Sequence, residues 1–320
     1  MATVMDLRHM ARQRLGERVF HTGTLLAALL VLVVLGGVMF TLLQGAWPAL
    51  STFKLDFLTK EVWNPVTEKF GAVAPVYGTV ITSIIAMIIA VPLSFGIAVF
   101  LTQIAPAWLK RPVGVAIELL AAVPSIIFGI WGFFVLAPIL QQHVQPWLID
   151  HLGEKPLIGP LFQGPPYGIG ILTASLVLAI MVLPFISAVM RDVIETVPDV
   201  LKESAYGLGA TKWEVIWHVI VPHSRTGMVG GIMLGLGRAL GETMAVTFVI
   251  GNAHRVTASL LAPGTTISAA IANEFTEAVG DLYTSSLVAL GVLLFLITFS
   301  VIAAARLLLR RLDRRALSAA

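Results

Sequence analysis

Six stretches of about twenty apolar residues divide this sequence, and they decide what it can fold into. They run roughly over Thr22 to Leu43, Tyr77 to Leu101, Val113 to Ile139, Gly168 to Met190, Thr226 to Ile250 and Ser286 to Ala305. About 20 apolar residues in a helix cross a hydrocarbon core of about 30 Å. Within such a core every backbone polar group needs a partner from the chain itself, which a helix supplies. Apolar residues make up 57% of the chain and charged residues 12%, against about a quarter charged in soluble domains. The expected fold is therefore an all-α integral membrane protein with six transmembrane helices. The first span is long for a signal-peptide core and lacks a small-residue cleavage site, so it reads as a retained anchor. With no cysteine, disulfides, thiolate nucleophiles and cysteine metal sites are excluded.

Lysine and arginine set the orientation. Fifteen of them precede the first span, lie in the second and fourth loops or follow the last span, against five in the remaining loops. This predicts cytoplasmic N and C termini, as an even number of spans requires. The expected division is a basic N-terminal segment (1–21), a six-helix membrane domain (22–305) and a basic tail (306–320). Val4 to Arg18 fits either an amphipathic helix on an anionic inner leaflet or a disordered basic tail. Trp47 and Trp63, in the exterior segment after the first span, read as headgroup-level anchors.

Only three ionisable residues, Glu118, Arg238 and Glu242, lie within the expected spans. Pro92, Pro124 and Pro184 each free a carbonyl and can kink a helix, which suits a moving gate but is also ordinary in membrane helices. Glu118 lies about five residues from the cytoplasmic end of its span; a pathway or gating role and a structural role are both open. His143 and His151 fall in an exterior loop with no third ligand nearby, so no metal site is expected. The fifth span, TGMVGGIMLGLGRALGETMAVTFVI, carries Arg238 at mid-depth and Glu242 one turn further on the same face. A charge there costs at least about 2.5 kcal/mol on insertion scales, so it marks function or else a structural ion pair. Gly230, Gly231, Gly235, Gly237 and Gly241 permit close helix approach around it. Beyond, TISAAIANEFTEAVG reads as a short helix at the outer mouth.

The fourth loop, 198–222, is polar and patterned. Pro198 and Asp199 suit a helix start, and Gly207 and Gly209 its end. Thr211 and Glu214 form a capping box for a second helix, which Pro222 is expected to close. Lys202 and Lys212 are its only basic residues before Pro222, too few for phosphate contacts along DNA. No P-loop, HExxH, paired intramembrane aspartates or Ser/His pair at depth occurs in the chain, so neither nucleotide hydrolysis nor intramembrane catalysis is expected of it.

Glu203-Ser204-Ala205, Gly209 and Val219-x-Val221-Pro222 resemble the E-A-A-x3-G-x9-I-x-L-P signature of ABC-importer permeases. The spacing matches throughout; Ser204, Val219 and Val221 depart from the commonest residues but keep size or apolarity. GLGRALGETMAV, WNPVTEKFGA, ELLAAVPSIIFGIWG and ISAAIANEFTEA further resemble permeases of the phosphate-specific importer, PstC type, and the likeness runs from Gly16 to Arg315. It implies a bacterial inner-membrane permease for inorganic phosphate, working beside a second, homologous permease. It also implies two cytoplasmic ATPase subunits holding ATP and magnesium, an extracytoplasmic phosphate-binding protein, and no cofactor in this chain. Arg238 and Glu242 would line the pathway, with Glu242 orienting Arg238, and the loop residues would couple to the ATPase. A sulfate or molybdate permease and an ATP-independent anion channel are the alternatives.

Overall fold

The computed structural model describes residues 2–317, with side chains over 16–307. The N-terminal amphipathic reading and the arginines beyond Leu307 therefore fall largely outside the described side chains. α1 (Ala2–Phe53) leads through α2 (Asp56–Thr59) to a two-stranded antiparallel hairpin, β1 (Trp63–Asn64) and β2 (Lys69–Phe70). α3 (Val73–Val99) follows, then α4 (Ala107–Ala121), α5 (Ser125–Trp131), α6 (Ala137–Ile139) and α7 (Gln145–Leu152). After α8 (Ile171–Glu195) come the short helices α9 (Asp199–Gly207) and α10 (Lys212–Val215), and α11 (Val221–Leu240) returns through the bundle. α12 (Met244–Thr247), α13 (Ile267–Glu274) and α14 (Asp281–Leu317) complete it. Among the described residues, five helices are long and apolar enough to cross a membrane: Gly16–Phe53, Val73–Ile104, Ser125–Leu152, Ile171–Glu195 and Asp281–Leu307.

The six expected spans are thus modified at two places. The third does not run from Val113 to Ile139: the chain breaks at Ala122–Pro124, and the apolar helix begins at Ser125. Pro124 adopts ψ 136°, so it starts a new helix instead of kinking an old one. That helix reaches Leu152, which puts His143 and His151 on it and not in a loop; His151 Nδ1 lies 2.9 Å from the Trp147 carbonyl. The expected fifth span also breaks, at Gly241.

Proline acts here in a way its local sequence did not announce. Four wide π-turns occur among the described residues, Phe100–Ile104, Gly132–Leu136, Leu140–Val144 and Ile216–Ile220. Two residues beyond each stands a proline: Pro106, Pro138, Pro146 and Pro222. A proline ring clashes with the carbonyl four residues back, and widening that turn moves the carbonyl aside. Pro222 therefore does not close the second loop helix; helical backbone passes from Lys212 through the π-turn into α11. Pro92 and Pro184 remain inside α3 and α8.

The main core joins α3, α8, the loop helices and α11, with Val177, Leu178, Val182, Ile186, Ile194, Val215 and Ile220 all buried. α8 and α11 are antiparallel and close. A Cβ at Gly227, Gly231 or Gly235 would come within 2.5–2.8 Å of Val193, Val189 or Ile186. These glycines form the contact face, whereas a Cβ at Gly230 would meet nothing. A second core packs Ala46 and Ala49 of α1 with Phe57, Phe70, Ile267, Leu287 and Leu290. The first turn of α8 takes its missing acceptors from the 252–265 segment: Ile171 and Leu172 donate to the carbonyls of Ala262 (3.2 Å) and Leu260 (2.7 Å).

Candidate functional site

Arg238 stands in the last turn of α11, and its guanidinium carbon lies 5.9 Å from the centroid of the Phe185 ring. Phe185 sits 14 residues from Ile171 and 10 from Glu195 along α8, about 21 Å and about 15 Å at the helical rise. The charge is therefore near the middle of the bundle. The Arg238 side chain is exposed at the surface of the chain. Among the described residues no carboxylate lies within ion-pair distance of it.

Glu242 does not occupy the position the sequence suggested. α11 ends at Leu240 with Gly241 as its cap, so a face shared four residues apart no longer exists. Glu242 instead accepts from the Ala245 N–H at 3.3 Å, at the start of α12. The break is held from outside the segment. Ala245, Val246, Val249 and Ile250 are buried, a Cβ at Gly129 would lie 3.0 Å from the Ala245 Cα, and Gly170 donates to the Val249 carbonyl at 2.9 Å. Irregular backbone at this depth is tolerated only when buried in protein or lining a cavity. Interrupted helices at mid-bundle are where transporters commonly bind their substrates. Arg238 and Glu242 flank such an interruption.

Glu118, whose role was open, lies elsewhere. Its carboxylate receives a hydrogen bond from Arg191 at 2.7 Å, tying α4 to α8, and Arg191 also reaches Asp192 at 3.1 Å. The Glu118 side chain is about half exposed, at 54%.

The patterned loop forms much as expected up to its last turn. Gly209 adopts φ +89°, a conformation that glycine reaches without strain. It lets Gly209 donate to the Tyr206 carbonyl (2.9 Å) and Ala210 to that of Ala205 (3.0 Å), the paired bonds of a Schellman cap. The capping box is complete: the Thr211 N–H donates to Glu214 at 2.8 Å and the Glu214 N–H to the Thr211 hydroxyl at 3.4 Å. The Thr211 backbone and hydroxyl donors hold the Glu214 carboxyl below its ordinary range. Glu203 and Ser204 are exposed, and Ala205, Val219 and Val221 are half-buried against the main core. Leu208 and Trp213 stay 90% and 67% exposed, an apolar tip with nothing over it in the single chain.

A second polar cluster carried no local signal. Glu274 accepts from the Trp63 indole (2.7 Å) and the Tyr283 hydroxyl (2.6 Å) through one oxygen, and meets His254 Nε2 at 2.5 Å through the other. The His254 ring stacks on Trp63 at 4.9 Å and 3°. Trp63 is thus an internal partner of this cluster. Burial pushes the Glu274 carboxyl up, but the His254, Tyr283 and Trp63 donors outweigh it and leave the group below its ordinary value. Nearby, Glu61 accepts from the Val256 N–H at 2.6 Å and Tyr77 donates to the Thr257 carbonyl at 2.8 Å. These contacts clasp the hairpin, the 252–265 segment, α13 and α14 together.

Membrane-length helices packed around an interrupted one define a membrane protein of several spans. The family described as binding-protein-dependent transport system inner membrane component matches residues 90–314, and the chain belongs to it. It is of the PstC type within that family. The phosphate transport system permease protein PstC of Mesorhizobium japonicum is 64% identical over 304 residues, covering 95% of this chain and 93% of that protein. The protein of the same name from Pasteurella multocida is 58% identical over 299 residues, with 93% of each covered. Among solved structures, a bacterial ABC transporter involved in alginate import shares the fold. Its TM-score is 0.60 at 16% identity, covering 93% of this chain and 99% of that one.

Proposed function

We propose that this chain is a permease subunit of an ATP-driven importer of inorganic phosphate, with Arg238 as a station for the anion at mid-membrane. In this reading α11 supplies a sixth crossing despite its modest apolarity, and both termini are cytoplasmic. The pathway forms between this chain and a second, homologous permease. An extracytoplasmic phosphate-binding protein delivers the anion, and two cytoplasmic ATPase subunits, which hold ATP and magnesium, drive the cycle; this chain carries no cofactor. The single observation that supports the reading most is the placement of an exposed arginine beside a helix interruption near the bundle centre. An anion in low dielectric needs such a cation, and a guanidinium offers phosphate a planar fork of donors. Glu242, past the interruption, would meet the same pathway. The 198–222 loop would bind the ATPase through the exposed tip of Leu208 and Trp213, with Glu203, Ser204, Ala205, Gly209, Val219, Val221 and Pro222 shaping and carrying the coupling helices.

The test is ATP-dependent phosphate uptake by the assembled complex, with sulfate and molybdate as competitors. Phosphate-selective uptake that Arg238→Gln removes without loss of assembly is expected. Equal inhibition by sulfate would widen the substrate to oxyanions, and flux without ATP would overturn the coupled importer.

A further inference from the structure

Glu242 accepts from the Ala245 N–H at the start of α12, and the group found beside Arg238 is the Phe185 ring. We propose that Phe185 is the positioning residue for Arg238, carrying the cation on its ring so that the N–H donors remain available to the anion. The proposal rests on the phosphate-pathway reading above and adds to it the group that prepares the arginine.

Three observations converge on Phe185. The Arg238 guanidinium carbon lies 5.9 Å from its ring centroid, within the roughly 6 Å reach of a cation–π contact. The ring is also mounted on a fixed piece of α8. Pro184 precedes it, and Ile186, which follows, is buried against α11, where a Cβ at Gly235 would come within 2.6 Å of it. The Leu183 carbonyl accepts hydroxyl bonds from Ser94 of α3 at 3.0 Å and from Ser187 at 2.8 Å. The short stretch from Leu183 to Ser187 is thus pinned to α3 and α11 at once. Finally, no carboxylate among the described residues lies within ion-pair distance of Arg238.

The choice of a ring over a carboxylate has a chemical consequence. A carboxylate would take up the same N–H fork that phosphate needs, and the anion would have to displace it. An aromatic face attracts the cation through its quadrupole and leaves those donors unoccupied. Such a contact is weak enough to yield when an anion arrives, and it limits the wandering of a long side chain beforehand. A pathway station must bind loosely enough to release, which a ring-held arginine allows.

The experiment replaces Phe185 by phenylalanines of increasing ring fluorination in the complete importer. Fluorination weakens the ring's negative face at nearly constant shape. Initial ATP-dependent phosphate uptake is expected to fall stepwise, by between about 2-fold and about 30-fold across the series, the range such contacts span. Assembly and thermal stability should stay constant, Phe185→Tyr should retain uptake, and Phe185→Leu should match the most fluorinated ring. Uptake that is flat or rises across the series overturns the proposal, including the case where Phe185→Leu alone loses uptake and the ring merely fills space. Arg238→Gln in the same assay separates the two claims. If it is inactive while the fluorinated series is flat, only the role of Phe185 fails; if it transports, the pathway reading itself fails.

Discussion

Two charged groups of this protein are partnered to opposite degrees. Glu274 is surrounded by donors from three other segments, Trp63, His254 and Tyr283, and each of its oxygens is engaged. Arg238, near the middle of the bundle, has an aromatic ring beside it and, among the described residues, no carboxylate within ion-pair distance. A carboxylate satisfied that fully holds a structure together and has little left to offer a ligand. A cation left with its donors available at depth is costly to insert, and that cost points to a function. Where partners are complete the protein is fastened; where they are incomplete, donors remain for the anion that the proposed pathway would carry.

The largest expected effect comes from removing the incomplete charge. Arg238→Gln is expected to lower ATP-dependent phosphate uptake by at least about 100-fold with the melting temperature of the complex unchanged. A stable but transport-competent variant would break the contrast. Next in size is the loop. Gly209→Asp forces a side chain into φ +89° and disturbs the cap that orients α10, so uptake and ATPase binding, read by co-purification, are expected to fall by about tenfold or more. Intact coupling in that variant would remove the loop from the mechanism.

Glu274→Gln sharpens the comparison from the other side. Its amide N–H2 must face either His254 or the Trp63 and Tyr283 donors, and a loss of about 1–3 kcal/mol in stability is expected, read by thermal unfolding of the assembled complex. Uptake per folded complex should hardly change. The smallest effect concerns pH. The Glu274 carboxyl titrates below its ordinary value of 4.5, so its contribution is fully present above that value and is lost as pH falls through the lower, folded-state value. Wild-type stability should therefore drop on acidification below about 4.5, and Glu274→Gln should flatten that drop. An acid dependence unchanged in the variant would place the titrating group elsewhere.

The regions of the molecule also differed in how far the sequence revealed them. The 198–215 segment was legible because its signals are local: a capping box three residues apart and a glycine at the one position with left-handed backbone. Arg238 was legible as a charge within an apolar stretch. Its surroundings were not, since the break at Gly241 is imposed by the packing of Ala245–Ile250 on α5 and on the entry to α8, contacts distant in sequence. Composition alone continued the helix to Ile250 and put Glu242 on a face that does not exist. Pro222 looked like a stop because the compensating π-turn before it has no residue signature beyond the proline. The Glu274 cluster joins Trp63 to a residue 211 positions away, and nothing in either neighbourhood indicates the other. Phe185 was missed for a simpler reason: an aromatic residue in an apolar span looks like core until a cation is found above it.

In the proposed pathway an incompletely partnered charge carries the anion while a completely partnered one carries the fold. Phosphate uptake and thermal stability measured together for Arg238→Gln and Glu274→Gln in the assembled importer would separate these roles. A crossed result is expected: uptake lost and stability kept for Arg238→Gln, stability lowered and uptake per folded complex kept for Glu274→Gln. If Arg238→Gln instead unfolds the complex or transports phosphate normally, the arginine is a structural element and the pathway lies elsewhere.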